Sequence, residues 1–304
     1  STAGDTLYLH ADTIRTRLFI MPSKALNDSV TVPADTTHHI IAAPHVRFFR
    51  SDLQGVCDSM TFVQRDSMMY MDYHPVVWNE NKQIFGNVIQ VHLNDSTADW
   101  AKLPDFAFMA EWVDEEFYNQ LSGKEMTAYF DKGAIRHLDV SGNVQAIFLP
   151  EESDSTFNKI ANIECSFLSA DFVNQAIDRM KFWPESSGTT TPLYLAKRSL
   201  FYLPQFRWFE PIKPVSPEDV FNVSYEMLEL MKEPPFGSRQ GRGGGYAPVS
   251  SPQSKPDAVS GKVQEASESG NPTSNDDTGN SAIEPALPAE GAVEETVSSV
   301  GASD

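Results

Sequence analysis

Between Leu53 and Leu93 the chain reads LQGVCDSMTFVQRDSMMYMDYHPVVWNENKQIFGNVIQVHL, and within it apolar side chains recur at every second position. Met60 and Phe62 fall on one face of a first segment. Met69, Met71 and Tyr73 fall on one face of a second, and Ile89, Val91 and Leu93 on one face of a third. A period of two belongs to a β-strand with one buried and one wet face. Gln64-Arg65-Asp66-Ser67 and Asn79-Glu80-Asn81-Lys82 separate the segments. They suit hairpin turns, because Asn, Asp and Ser hydrogen-bond to their own backbone. This stretch therefore demands at least three antiparallel strands.

The same punctuation recurs on both sides of it. Leu53-Gln54-Gly55, Ile84-Phe85-Gly86, Leu121-Ser122-Gly123 and Ile160-Ala161-Asn162 each precede an alternating segment, roughly every 30 to 40 residues. A second mark, a small break followed by Val, stands at Pro44-His45-Val46, Pro75-Val76-Val77 and Gly142-Asn143-Val144. Gly permits a bend or bulge in a strand, and Pro is tolerated at strand edges. Irregular units of this length predict an all-β fold of stacked antiparallel strands, either a β-jelly roll or an open β-solenoid. Leu7 to Ile14 and His39 to Phe49 add two strands around a long connection. Met109 to Tyr118 reads as a strand or a turn of helix, and its β neighbours favour the strand. Because the chain opens directly in a strand-like run, Thr6 to Ala11, an N-terminal part is expected to precede it.

Three regions follow. Residues 1–183 form the β domain. Residues 184–235 hold an aromatic segment ending in Phe206-Arg207-Trp208-Phe209, then Ser216-Pro217-Glu218-Asp219. That order of cap, first-turn Pro and acids predicts a short helix to about Met231, stopped by Pro234-Pro235 and packed over one open end of the β structure. Residues 236–304 are rich in Gly, Ser, Pro, Glu and Ala, and predict a disordered acidic tail that buries too little apolar surface to offset the cost of ordering it.

The formal net charge of −19 excludes a nucleic-acid binder, which needs clustered Lys and Arg. Cys57 and Cys165 are either two small buried hydrophobes or a disulfide. No apolar run approaches the ~20 residues of a membrane span. His38 and His39 are adjacent in a strand and so face opposite ways, which is a poor metal site. His74, His92 and His137 fall on wet faces and read as surface residues. Asp114-Glu115-Glu116 is a solvated charge run. With no Ser-His-Asp arrangement on elbow glycines, no phosphate loop and no CxxC, neither an enzyme nor a cofactor is expected. The distinctive feature is the inward face, where Met60, Met69, Met71, Met126 and Met180 join Phe62, Tyr73, Phe130, Phe148 and Phe167. Met-rich surfaces adapt to flexible apolar ligands; the alternative is an ordinary filled core.

The segments DTLYLHADTI and SGNVQAIF, together with the Leu53–Leu93 stretch, resemble the OstA-like proteins of Bacteroidota, relatives of the periplasmic LptA bridge and of the N-terminal domain of the outer-membrane lipopolysaccharide translocon. The resemblance covers about Asp5 to Trp183. It implies a non-enzymatic lipopolysaccharide-transport component of the periplasm or outer membrane. In such a protein a β-jelly roll open along one side shields lipid acyl chains, and its terminal strands pair with other Lpt-type β domains, including an outer-membrane translocon. The trough-lining, lipid-binding residues would be Met60, Phe62, Met69, Met71, Tyr73, Ile89, Val91, Phe130, Leu138, Val140 and Phe148, chosen from alternation. The competing expectation is a structural β-repeat scaffold with a filled core, which recruits outer-membrane proteins through its strand edges. Triplets of Asp, then Ser or Thr, then an aliphatic residue, Met or Thr, as at Asp58 and Asp66, are also similar to the O-glycosylation sequon of exported Bacteroidota proteins.

Overall fold

In a computed structural model the described residues are 6–238, apart from 22–23, 28–29, 33–34, 95–96, 153–155 and 174–175, and all belong to one unit. The expected acidic tail from residue 239 lies outside them. The strands are β1 (Tyr8–His10), β2 (Ile14–Met21), β3 (Lys24–Asn27), β4 (Val30–Val32), β5 (Asp35–Ala42), β6 (Val46–Arg50) and β7 (Leu53–Cys57). They continue with β8 (Ser59–Val63), β9 (Met68–Asp72), β10 (Val76–Asn79), β11 (Lys82–Gly86), β12 (Val88–Asn94), β13 (Thr97–Leu103) and β14 (Ala107–Asp114). Then come β15 (Phe117–Gly123), β16 (Glu125–Asp131), β17 (Ala134–Phe148), β18 (Lys159–Val173), β19 (Ala176–Trp183) and β20 (Ser187–Pro192).

The chain is all-β and antiparallel, one open sheet folded on itself. One half of it runs β1-β6-β7-β10-β11-β14-β15. The other half runs β2-β5-β8-β9-β12-β13-β16. The long strands β17 and β18 pass through both halves, and β20 and β19 end the first and second half respectively. β3 and β4 form a separate small hairpin.

Apart from β18, which crosses from one half to the other without a break, every passage between the halves is a short corner, and the two directions use different corners. From the first half to the second, Asp58, Asn87 and Lys124 each stand alone between strands. From the second to the first, the chain needs a residue of positive φ: His45 (57°), Tyr73 (61°) with His74 (56°), Asp105 (69°), Asn143 (50°) beside Gly142, and Glu185 (53°). Pro44, Pro75, Pro104 and Pro184 flank these residues, where the sheet ladder asks nothing of their missing N–H. Backbone bonds tie neighbouring corners into a spine, as in Asp12 N–H to Pro44 O (3.1 Å), Asp58 N–H to Tyr73 O (3.2 Å) and Lys124 N–H to Ser141 O (2.9 Å). Both punctuation marks of the sequence thus belong largely to one feature. The small-break-then-Val mark is the left-handed corner, and three of the Gly/Asn marks stand at or near the one-residue corner. Gly86 and Gly123 precede it directly, and a Cβ there would lie 2.5 Å from Phe106 O and 2.5 Å from Val140 Cγ1. Asn162 instead lies within β18, which changes halves between Glu164 and Phe167 without a break in the strand.

Inside the fold, one buried cluster draws on both halves, with Val46, Phe48, Cys57, Leu121 and Val144 from the first and Met60, Met71, Ile89, Met126 and Val140 from the second. Both cysteines are free and buried in it. A second cluster occupies the outer face of the first half. There Val56, Val76, Trp78, Phe85, Phe106, Phe108 and Ala110 pack under Phe209, Ile212, Met227, Leu230 and Phe236. The chain from Leu193 to Ser238 is therefore a strap across that face, and does not cover an open end as the sequence suggested. The roll also continues past Trp183 through β20, and the strap continues past Pro235 to the buried Phe236.

The strap holds little helix. The Ser216 hydroxyl does accept from Asp219 N–H (3.2 Å), but only a 3-10 turn, Glu218–Phe221, follows. Asp219 is engaged elsewhere, by Val215 N–H and by Arg47. The α-helix α1 (Tyr225–Leu230) starts afresh with Ser224 accepting from Met227 N–H. Met109–Tyr118 spans a hairpin, the end of β14 and the start of β15 around Glu115 and Glu116, in place of one long strand.

Candidate functional site

The candidate site is the inner face. Along each strand of the second half, burial falls with distance from the spine: Met60, Met71, Ile89, Val91, Leu138 and Val140 are buried, whereas Phe62, Met69 and Phe130, nearer the hairpins, are partly exposed. The first half behaves alike, with Phe48 and Ala146 buried and Phe148 partly exposed. Ten of the eleven residues expected from alternation thus fall on the inner face. The exception is Tyr73, 66 % exposed. It stands at a left-handed corner, where the alternation of β9 has already ended. Phe167 is also misplaced by simple alternation. It faces outward and stacks on Trp183 (5.9 Å, 16°), on the side opposite the buried Leu168.

The apolar lining extends to the N-terminal edge. Ile14, Leu18 and Ile20 share a face with Ala42 through the pairing of β2 with β5, and they are 54 %, 55 % and 69 % exposed. Lys82 paired with Glu111 (2.9 Å), both partly buried, forms part of a polar rim on the first half, beyond Ile84 and Met109.

The outer face of the second half carries a constellation that sequence spacing could not show, because its members come from two strands. His137 Nδ1 lies 2.6 Å from Asp171 Oδ1, while its Nε2 lies 3.0 Å from Asp139 Oδ1 and 3.3 Å from Ser169 Oγ. The Ser-His-Asp order resembles a nucleophile relay, but the chemistry differs. The bond to Asp171 raises the His137 pKa, and Asp139 adds to the rise. An imidazole that gives a proton to a carboxylate on each side has no lone pair left to accept one from Ser169. The Asp171 pKa is lowered by the same bond. The stabilisation from His137 is full below the ordinary imidazole value of about 6.5 and is lost as pH rises through its raised folded value; that from Asp171 is present above about 3.9 and is lost in acid. In a pH series, His137→Gln is expected to lower the melting temperature most between these two values, and the gap from wild type should shrink in alkali. A gap constant across pH would show that the imidazole is not charged in the fold.

His74 departs from its expected surface position. It is buried, its Nε2 donates to Pro234 O (3.1 Å), and its ring meets Phe236 edge-on. It belongs to a set of polar sockets that receive the strap. Gln83 donates to Arg207 O (2.9 Å), and its Oε1 accepts from Phe209 N–H (2.8 Å) and Trp78 Nε1 (3.1 Å). Gln120 reaches Phe201 O and Leu203 N–H in the same way. Arg47, 2 % exposed, donates to Ile212 O and to Asp219. Burial lowers its pKa and Asp219 partly restores it. The sequence did carry a trace of this covered face: VVW, IFG and AFMA break the alternation, as strands buried on both sides do.

No family model and no curated protein matches this chain. Among solved structures, LptH of Pseudomonas aeruginosa, the LptA homologous periplasmic component of its lipopolysaccharide transport device, superposes with a TM-score of 0.32 at 9 % identity, over 43 % of this chain and 95 % of that one. So loose a superposition carries no argument about what this chain does. No helix among the described residues is long and apolar enough to cross a membrane.

Proposed function

We propose that this chain is a non-enzymatic lipid-transport component that shields lipopolysaccharide acyl chains between the two halves of the roll and joins partner β domains through its terminal strand edges, in the periplasm or at the outer membrane. The observation that carries the reading is the graded inner face: apolar side chains continue past the buried spine to partly exposed positions on successive strands and on to the bare face of β2. Each methylene placed there leaves water with a gain of about 0.8 kcal/mol. Among the described residues β1 pairs only with β6 and β2 only with β5, so each has a second edge that offers backbone groups to an added strand. A scaffold with a filled interior is the second reading, favoured by the packed cluster along the spine.

Site-specific photo-crosslinking in cells that make lipopolysaccharide separates the two. Probes belong at Phe62, Met69 and Phe130, since Met71 and Val91 are buried, with His92 on the outer face as control. Lipid adducts confined to the inner positions are expected. Their absence in folded, exported protein would favour the scaffold.

A further inference from the structure

Apart from the inner face, one recess is built jointly by the roll and the strap. It has a volume of about 400 Å3 and is lined by Glu80 and Asn81 from the β10–β11 turn, Trp112 and Tyr118 from the β14–β15 hairpin, and Trp208, Glu210 and Lys213 from the strap. Trp112 and Tyr118 are register partners on adjacent strands, and Trp208 meets Tyr118 at 5.0 Å with the rings inclined by 50°. Three aromatic side chains thus line one space. Trp112 remains 44 % exposed. Among the described residues neither carboxylate, nor the Lys213 ammonium, takes part in an ion pair.

Aromatic faces attract cations through the ring quadrupole, and organic ammonium groups are the ligands such cages favour. Glu80 and Glu210 add negative charge in a chain that is already acidic. A neutral polyol could donate hydrogen bonds to these exposed carboxylates but would draw nothing from their charge, whereas Lys213 on the same wall would repel a bare cation unless it met an anion of its own. We propose that the recess binds a zwitterionic head group, an alkylammonium next to a phosphate, with the ammonium among the rings and carboxylates and the phosphate at Lys213. Phosphocholine and phosphoethanolamine have this chemistry, whether free or as lipid head groups. The site lies apart from the inner face and stands or falls independently of lipid adducts there.

The test is calorimetric titration of the full chain with phosphocholine, choline and glucose. Saturable binding of phosphocholine, tighter than choline, is expected. Replacing both carboxylates, Glu80→Gln with Glu210→Gln, should weaken phosphocholine about tenfold. Lys213→Ala should erase the advantage of phosphocholine over choline without weakening choline. All three positions are at least partly solvent-exposed, and thermal melts confirm that the variants fold. No heat with phosphocholine, binding unaffected by the carboxylates, or saturation by glucose in preference to choline would each overturn the proposal. Flotation with phosphatidylcholine vesicles then separates the sources. Capture that depends on Glu80 and Glu210 identifies a lipid head group, and phosphocholine binding without capture identifies a free solute.

Discussion

Ending the chain at Pro192, and so removing the strap, is expected to make the protein associate or precipitate more than the full chain does. The strap covers Trp78, Phe85 and Phe108, all at 0 % exposure, with Val56, Val76 and Phe106 beside them. Uncovering them creates a continuous apolar surface of the kind that soluble monomers avoid. Gln83, Gln120 and Arg47 also lose the backbone partners that the strap supplies. Size-exclusion chromatography with light scattering reads the result. A truncated chain that keeps the oligomeric state of the full chain and melts at the wild-type temperature would make the strap an accessory instead of a wall of the fold.

Phe85→Ala is expected to cost about 3–5 kcal/mol, the range for deleting a fully buried aromatic ring. Phe85 lies at the centre of the outer cluster. Its ring stacks on Phe108 at 5.0 Å and meets Phe209 and Phe236 edge-on at 5.2 and 5.0 Å. Those rings come from both the roll and the strap, so the cavity cannot close without moving one against the other. Urea unfolding of the full chain should show a lower midpoint, and Phe85→Leu should recover most of the loss because it keeps much of the volume. Phe130→Ala, at the partly exposed margin of the inner face, should cost distinctly less. Equal costs would mean that the inner face is as tightly filled as the outer cluster, which would weaken the case for an acyl-chain trough.

The sequence revealed the second half of the roll well, because there one face is apolar and the other polar. Met60/Phe62, Met69/Met71 and Ile89/Val91 alternate for that reason, and the structure places all six on the inner face. Alternation informs only within a strand, so it misplaced Tyr73, one residue beyond the end of β9. It also says little where both faces are covered. In β14, Phe108 and Ala110 face the strap while Ala107 and Met109 face inward, so the run carries no alternation. His74 was read as wet because its cover comes from Pro234 and Phe236, far along the chain. The head-group recess escaped notice for the same reason, since its rings come from residues 112, 118 and 208. Ser216 illustrates a different limit: a cap signal fixes one turn, but Arg47, distant in sequence, helps decide where Asp219 goes.

Among the described residues the corners lie on one side of the roll and the hairpin turns on the other. A single residue added between two corners would exchange inside for outside along the rest of that strand. Residues added in pairs at a hairpin lengthen a strand without disturbing the spine. The excursion through β3 and β4 between β2 and β5 is a place where such growth can be absorbed. The fold resembles a bound book whose pages can be cut to different widths, so the depth of the inner face can change over evolution while its binding stays fixed.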